Sequence, residues 1–516
     1  MINMDIKYEV TIKDVDPMTD KKIKESIAKI LKENGYNSEV NYDSHNMTMM
    51  TDFYEMTMGE VNNKFKEYDK IDYYDAFFRV EPLNAKYGVV FGVDKLIKYI
   101  KEFHFTDEDI EFLREKTDLS DDMLNYLRHL QFTGDIYGMP DGTIVFRNEP
   151  FITVRAPRIQ CKLIETAILA IYNSNIAYMT AASKITNAAG NIPVMSFGSR
   201  RAYGLEAAVD ADIAALTAGC VGTSNVKAAQ ATYTKPLGTM AHSGVMEANS
   251  EKEAFRKYAR TFPNSTMLLV DTYDTLNGTK VAIDACVKEG VNLKGIRIDS
   301  GNLAELSKEA KKIMNEYFKN AKVCLSNGLT AEKIEELKNE GAVMDTLGVG
   351  DNISAPEKRV GAVYKLCAVE DDGKIIPKIK LSGDAIKTTN PGYKKVYRLY
   401  DKNTGYMIGD IIALADEVIN KNYTIVKDNE YKEIKLNNYN VRELQTAIFK
   451  DGNLVYDVPT MEDKKEYFKR EMEMLPNDVK ATFNPKEYRV FLSNQLRELK
   501  DNLIENNRCK VKKKVR

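Results

Sequence analysis

The 516-residue sequence contains no uninterrupted apolar run of 18 residues, no apolar segment at its N-terminus and no CxxC pair. From the first absence no α-helical membrane span is expected, and from the second no secretory signal. The six cysteines (Cys161, Cys220, Cys286, Cys324, Cys367 and Cys509) stand far apart, several inside apolar runs. That pattern predicts small buried thiols in a reducing, cytoplasmic compartment. An excess of charge is also missing: 74 Lys and Arg face 76 Asp and Glu, so nothing calls for a nucleic acid or other polyanionic partner. The five basic side chains within residues 509–516 predict a solvated tail. Histidine is scarce, with only His45, His104, His129 and His242.

What is present is the composition of a soluble globular protein, 43% hydrophobic and 29% charged, at a length that predicts two or three domains. Residues 1–46 predict an N-terminal extension of strand (6–10), helix (21–33) and strand (36–42), with Met47, Met49 and Met50 as alternative chain starts. Residues 47–160 predict an N-terminal α/β domain. It has strands at 77–80 and 87–90, a helix at 107–115 behind Thr106 as N-cap, and a hairpin within 134–151 turning at Pro140-Asp141-Gly142. A long helix is expected over 161–189.

The chain then becomes rhythmic. Strands predicted at 193–197, 220–222, 267–271, 294–299, 322–326 and 343–348 alternate with helices at 205–218, 279–288, 303–317 and 331–339. Alternation of this kind predicts parallel βα units closing into a barrel, here the catalytic domain at 161–365, with every strand's C-terminal end on one face. Residues 366–516 are expected to complete the smaller domain. The elements read there are a hairpin of 363–370 with 374–379, short strands over 395–460 and helical structure over 461–505.

Six polar or glycine-rich motifs are placed by this reading at strand ends: FGSRRAYG (197–204), GTSN (222–225), GTMAHS (238–243), VDTYDT (270–275), RIDSGN (297–302) and GVGDN (348–352). In a βα barrel that face carries the active site. Glycine-rich strand ends followed by helix N-termini favour phosphate. Arg200, Arg201 and Arg297 offer forked donors to phosphate or carboxylate. Asp271 and Asp299 are oxygen ligands of the kind Mg²⁺ shares with phosphates, and Phe197 and Tyr54 offer faces for a flat ring. His242 alone of the four histidines lies in such a segment, where an imidazole can accept a phosphoryl group. Elsewhere a lone histidine is more often a hydrogen-bonded structural residue.

These motifs, with TDFYEMTM (51–58), FRNEP (146–150), LIETAIL (163–169) and VYKL (363–366), follow an order and spacing that resembles the nicotinate phosphoribosyltransferases over residues 47–500. The resemblance implies an irregular parallel α/β barrel of the type II phosphoribosyltransferase kind, with a smaller α/β domain built from both flanks. It implies a ligase-like transferase of NAD biosynthesis, joining nicotinate to 5-phosphoribosyl 1-pyrophosphate with release of pyrophosphate. ATP is the co-substrate, spent through a phosphohistidine, with Mg²⁺ as cofactor and a homodimer with shared active sites. Carried onto this chain, His242 matches the phosphorylated position. Tyr54 matches a ring-stacking tyrosine that reaches a neighbouring subunit's site, and Phe197 its stacking partner. Arg200, Thr239 and Arg297 match substrate-contacting positions, Asp271 and Asp299 the acids near metal and ribose, and Gly328, Gly350 and Asp351 the phosphate-end loops. The absence of GxxxxGK[ST] means that ATP binds by another geometry. Gly244 and Asn302 depart from the pattern, where relatives often carry an aromatic and an aspartate.

Other readings stand beside this one. LLVDTYDTLNGT (268–279) superficially resembles the phosphate loop of Rossmann-like phosphoribosyltransferases, but Asp271 is followed by Thr272 and Asn277 interrupts the glycine-rich end. A quinolinate-using barrel would need neither ATP nor the GTMAHS histidine, and a non-catalytic pyridine- or phosphate-binding barrel would not need the intact acidic and histidine set. Nicotinamide as substrate is opposed by Ser224, since nicotinamide-using relatives carry there an aspartate that would repel a carboxylate. Ser224→Asp is therefore expected to lower kcat/KM for nicotinate on the order of a hundredfold, the scale of a like-charge contact, while touching nicotinamide far less. Equal losses for the two pyridines in a steady-state comparison would contradict it.

Overall fold

The computed structural model describes residues 26, 29, 46–382, 387–420, 422–426 and 433–514. By internal contacts the chain divides into 1–47 and 48–516. Apart from Ser26 and Lys29, both helical, the elements expected within 1–45 lie outside the described residues.

The rhythmic region forms six parallel strands: β1 (Val194–Ser196), β2 (Gly222–Thr223), β3 (Met267–Leu269), β4 (Gly295–Ile298), β5 (Lys322–Ser326) and β6 (Thr346–Val349). Their order across the sheet is β2-β1-β6-β5-β4-β3. Leu268, Leu269, Ile296, Ile298, Val323, Leu325, Leu347 and Val349 are fully buried, as expected of parallel strands covered on both faces. The following helices begin inside the motif loops. Asp274, Asn302 and Thr330 each accept a backbone N–H to cap Thr275–Glu289, Leu303–Asn315 and Ala331–Asn339. The Asn302 departure noted in the sequence is thus a working helix cap.

The expected closed barrel is corrected to an open, curled half-barrel. β2 and β3 are its two edges, and among the described residues no ladder joins them. The chain between them runs instead as helices Val226–Ala231, His242–Met246 and Glu251–Thr261 with a long loop. GTMAHS consequently lies not at a strand end but in that loop and the start of helix His242–Met246.

Both flanks of this half-barrel contribute to a second, antiparallel sheet of seven strands. Ile71–Phe78, Asp135–Gly138 and Ile152–Pro157 come from one side, and Ala362–Asp371, Lys374–Pro377, Thr446–Lys450 and Asn453–Leu454 from the other. The strand Ala362–Asp371 runs across residue 365, and its hairpin with Lys374–Pro377 forms as expected. The long helix is Glu165–Ala189, preceded by Arg158–Leu163 and a break at Ile164. Helix Asp107–Lys116 carries the expected Thr106 cap. The hairpin expected in 134–151 does not form. Asp135–Gly138 pairs with 152–157 and 446–450, and Ile144–Val145 with Gly88–Val89. The turn at Pro140-Asp141-Gly142 does form, with the Thr143 N–H on the Pro140 carbonyl (3.1 Å), and the Asp141 carboxylate accepts from the N–H groups of Gly92 and Val93 and from the Lys464 ammonium. Helix Asn494–Lys514 takes in most of the basic tail. Cys161, Cys220, Cys286, Cys324 and Cys367 are free and buried as predicted.

Arg398 ties the C-terminal segments together. Fully buried on strand Lys394–Asp401, it donates to Asp410 (2.6 Å), to Glu471 (2.9 Å) on helix Met461–Met474 and to the Ile144 carbonyl (2.8 Å). Removing the guanidinium leaves buried Asp410 with the Tyr488 hydroxyl (2.9 Å) but without its cation, while Glu471 keeps Arg442 (2.7 Å). Arg398→Ala is expected to cost about 3–5 kcal/mol in denaturant unfolding; a loss below about 1 kcal/mol would show that the charges find other partners.

Candidate functional site

The site grows from the C-terminal ends of neighbouring strands. Asp271 follows β3, and Asp299 follows β4. Because β3 and β4 are adjacent and parallel, the Asp299 N–H donates to Asp271 Oδ2 (2.8 Å), as does the Ser300 hydroxyl (2.7 Å). Ser326, ending β5, donates to Asp299 Oδ1 (2.7 Å). One oxygen of each acid is thereby fixed and the other is left facing His242. Nε2 of His242 lies 3.9 Å from Asp271 Oδ1 and 3.8 Å from Asp299 Oδ2, and Nδ1 lies 3.2 Å from the Thr272 hydroxyl. Asp271 Oδ1 is buried without a hydrogen-bond partner. Such an atom is costly unless something positive completes it.

Arg297, on β4, reaches across to the GTMAHS segment. It donates to Thr239 Oγ1 (3.2 Å) and to the Met240 carbonyl (3.0 Å), while its Nε is buried and unpartnered. This arginine holds the histidine segment against the strand ends that a closing strand would otherwise have bridged. Phe197 follows β1, its N–H bonded to the Val349 carbonyl (2.7 Å) and its ring lying on Gly348, where a Cβ would come within 2.6 Å of the ring. Arg200 and Ser224 are exposed at the same mouth. Ser224 is placed by its N–H on the Ser196 carbonyl. Gly328 follows β5 in a left-handed turn with Asn327, and Gly350 and the exposed Asp351 follow β6 at the start of helix Asp351–Ser354.

A cavity of about 580 Å³ opens beneath these groups, lined by Phe197, Thr239, Arg297, Met267, Lys294 and Lys322 among others. A smaller one, about 220 Å³, lies at Lys184, Glu332, Asn352 and Lys358. Its Lys184 is already paired with Glu332, and none of the acids or arginines above lines it. The larger cavity meets Phe197, Thr239 and Arg297, while His242, Asp271 and Asp299 line neither cavity.

Tyr54 is not part of this cluster within one chain. On helix Phe53–Lys64, half exposed, it sits instead with Asp52, Glu55 and Glu165, and burial with these carboxylates pushes its phenol far above the usual range. Burial also raises buried Glu55, against hydrogen bonds from Thr51 and Thr166. Glu165 is pushed up to about 7 by burial and by Glu55 and Asp52, with Lys365 opposing.

Sequence reading missed the supporting hydroxyls of Thr272, Ser300 and Ser326. The first two lie within motifs already singled out, and Ser326 ends a predicted strand, so position alone was the available signal. No group of three or more His, Cys, Asp or Glu suited to a metal occurs among the described residues. A pair of carboxylates completed by phosphate oxygens is nevertheless a usual Mg²⁺ setting. The unpartnered Asp271 oxygen beside Asp299 fits it.

An open parallel α/β sheet with an imidazole between two carboxylates, a half-free guanidinium and glycine-rich strand ends at one mouth defines an α/β enzyme equipped for phosphate esters. Comparison with known proteins makes this specific. Residues 49–173 match the model of the nicotinate phosphoribosyltransferase N-terminal domain, 192–391 that of the nicotinate phosphoribosyltransferase family and 393–500 that of its C-terminal domain. The chain belongs to the nicotinate phosphoribosyltransferase family. It is 36% identical over 464 residues to nicotinate phosphoribosyltransferase of Bacillus subtilis, covering 88% of this chain and 94% of that one. The Dictyostelium discoideum enzyme of the same name is 30% identical over 523 residues, covering 88% of each. In fold the chain resembles human nicotinic acid phosphoribosyltransferase (TM-score 0.76, 23% identity, 88% of this chain and 99% of that one). It also resembles a nicotinate-nucleotide pyrophosphorylase of Pyrococcus furiosus (TM-score 0.64, 24% identity, 85% and 98%).

Folding raises the proton affinity of Glu165, so between about pH 4.5 and 7 the folded chain holds a proton that the unfolded chain releases. Its contribution to stability therefore falls as pH rises through that window. Glu165→Gln is expected to be more stable than the parent above pH 7, on the order of 1–3 kcal/mol after screening, and indistinguishable near pH 4. Melting curves across that range that stay parallel would contradict the assignment.

Proposed function

We propose that this chain makes nicotinate mononucleotide from nicotinate and 5-phosphoribosyl 1-pyrophosphate, with ATP as co-substrate, as a cytoplasmic step of NAD biosynthesis. The observation that carries the reading is the meeting of His242 with Asp271 and Asp299 beside Arg297. The half-barrel is then an irregular variant of the type II phosphoribosyltransferase barrel, its open seam filled by the histidine segment.

The residues divide the work. Phe197 stacks on the pyridine ring, and Arg200 and Arg297 face its carboxylate and the phosphates; Thr239 is oriented by Arg297. Ser224 leaves room for a carboxylate where an acid would repel it. Gly328, Gly350 and Asp351 form the phosphate end. The pyridine nitrogen attacks the anomeric carbon, the bond to pyrophosphate breaks, and arginines stabilise the charge growing on the leaving group. Mg²⁺, held by Asp271 and Asp299, would add positive charge to the phosphates when bound.

The two carboxylates facing Nε2 favour the imidazole proton there, which leaves the Nδ1 lone pair as nucleophile once Thr272 releases it. Nδ1 attacks the γ-phosphorus of ATP, a nitrogen–phosphorus bond forms, and ADP departs; water later cleaves that bond to give phosphate. The transferred charge orders the mouth for substrate, and its loss favours product release.

Tyr54 completes the ring sandwich from a second copy of the chain. Its helix carries Phe53, Val61 and Phe65 exposed, an apolar stripe suited to a homodimer. A monomer in sedimentation that still turned over would overturn this shared site.

In a pyrophosphate-release assay, nicotinate is expected to react, faster with ATP, while nicotinamide and quinolinate do not. His242→Asn should retain slow nicotinate turnover with no ADP formed alongside it. Coupled ADP release in that variant, or turnover of quinolinate without ATP, would refute the reading.

A further inference from the structure

The ring clamp rests on a buried acid that the proposed chemistry does not use. Asp212 lies on helix Leu205–Thr217, 1% exposed among Ala208, Ala211, Ala214 and Ala215. Among the described residues its two oxygens are met by hydroxyls rather than by a cation. Ser196, the last residue of β1, donates to Oδ1 (2.5 Å), and Ser199, the first of the turn Ser199–Arg201, donates to Oδ2 (2.7 Å). A buried carboxylate without a counter-ion is expensive. What it offers over a neutral side chain is two strong acceptors fixed in one plane.

The two serines bracket Phe197 and Gly198, so Asp212 grips the loop on both sides of the stacking ring. The opposite side of that loop is closed as well. Ser354 Oγ donates to the Gly198 carbonyl (2.7 Å), and a Cβ on Gly198 would lie 2.4 Å from the Gly350 carbonyl. The loop is thus clamped between helix Leu205–Thr217 and the phosphate-end turn after β6. The backbone that carries Phe197 and Arg200 is thereby held on both sides.

We propose that Asp212 is a positioning residue for the pyridine: through Ser196 and Ser199 it sets the ring plane of Phe197 and the reach of Arg200. It touches no substrate. This rests on the nicotinate reading given above.

The test is steady-state kinetics on the full chain with each substrate varied in turn. Asp212→Ala is expected to raise KM for nicotinate roughly tenfold or more, with KM for 5-phosphoribosyl 1-pyrophosphate within about twofold and kcat within about threefold. Asp212→Asn keeps one acceptor and can donate to the second hydroxyl, so it should recover most of the affinity. Ser199→Ala should reproduce part of the nicotinate effect and add nothing to Asp212→Ala in the double variant. Should Asp212→Ala fail to fold, the Asn variant and Ser199→Ala still measure the same split. Equal rises in both KM values, no change in any variant with active wild type, or additive effects in the double variant would each overturn the proposal. A wild-type protein inactive with nicotinate would instead overturn the reading on which it rests.

Discussion

Two carboxylates held side by side at the ends of adjacent parallel strands set the problem that the rest of the mouth solves. Asp271 and Asp299 are brought together by backbone register. The Asp299 N–H lands on Asp271, and Ser300 and Ser326 complete one oxygen of each acid. The remaining oxygens share a small, partly dry volume, where like charges are costly and anything positive is favoured. An imidazole edge faces them, and a divalent ion with phosphates fits the same place. The stacking ring, the arginines and the glycine-rich turns are arranged around that pair because neighbouring strands of a parallel sheet deliver their loops to one side.

Arg297 explains how an open sheet can still enclose a site. With no ladder between β2 and β3, the chain between them needs another anchor. A guanidinium on β4, the strand beside the β3 edge, supplies it through Thr239 and Met240. The same residue lines the 580 Å³ cavity, so one side chain both closes the wall and presents charge to it. Substituting a loop for a strand leaves the histidine on a segment held by side chains. Such a segment can shift when the charge on the imidazole changes, more readily than one held by a backbone ladder.

Much of the site was legible because its parts sit where strand periodicity stops. RIDSGN, VDTYDT and GVGDN could be placed from alternation alone, and their order matched a family. Less legible were features set by contacts far apart in sequence. Asp141 sits in the expected turn, yet the strands on either side of it pair elsewhere, Asp135–Gly138 with Ile152–Pro157 and Ile144–Val145 with Gly88–Val89, so the expected hairpin does not form. The GTMAHS segment looked like one more strand end and proved to be the plug of an open seam. Asp212 left a faint trace, an acid in an alanine-rich helix, but nothing local said that Ser196 and Ser199 would meet it.

Local periodicity and the chemistry of the motif residues were enough to determine the alternating βα units, the strand-end face, the buried thiols and the family, since these depend on neighbours within a few residues. The tertiary structure alone decided that the sheet stays open, that the strands flanking the Pro140 turn pair with other partners, and that the hydroxyls of Ser196 and Ser199 meet Asp212. Those outcomes depend on which strands come to lie side by side and which buried charges find partners, quantities fixed only when distant segments pack.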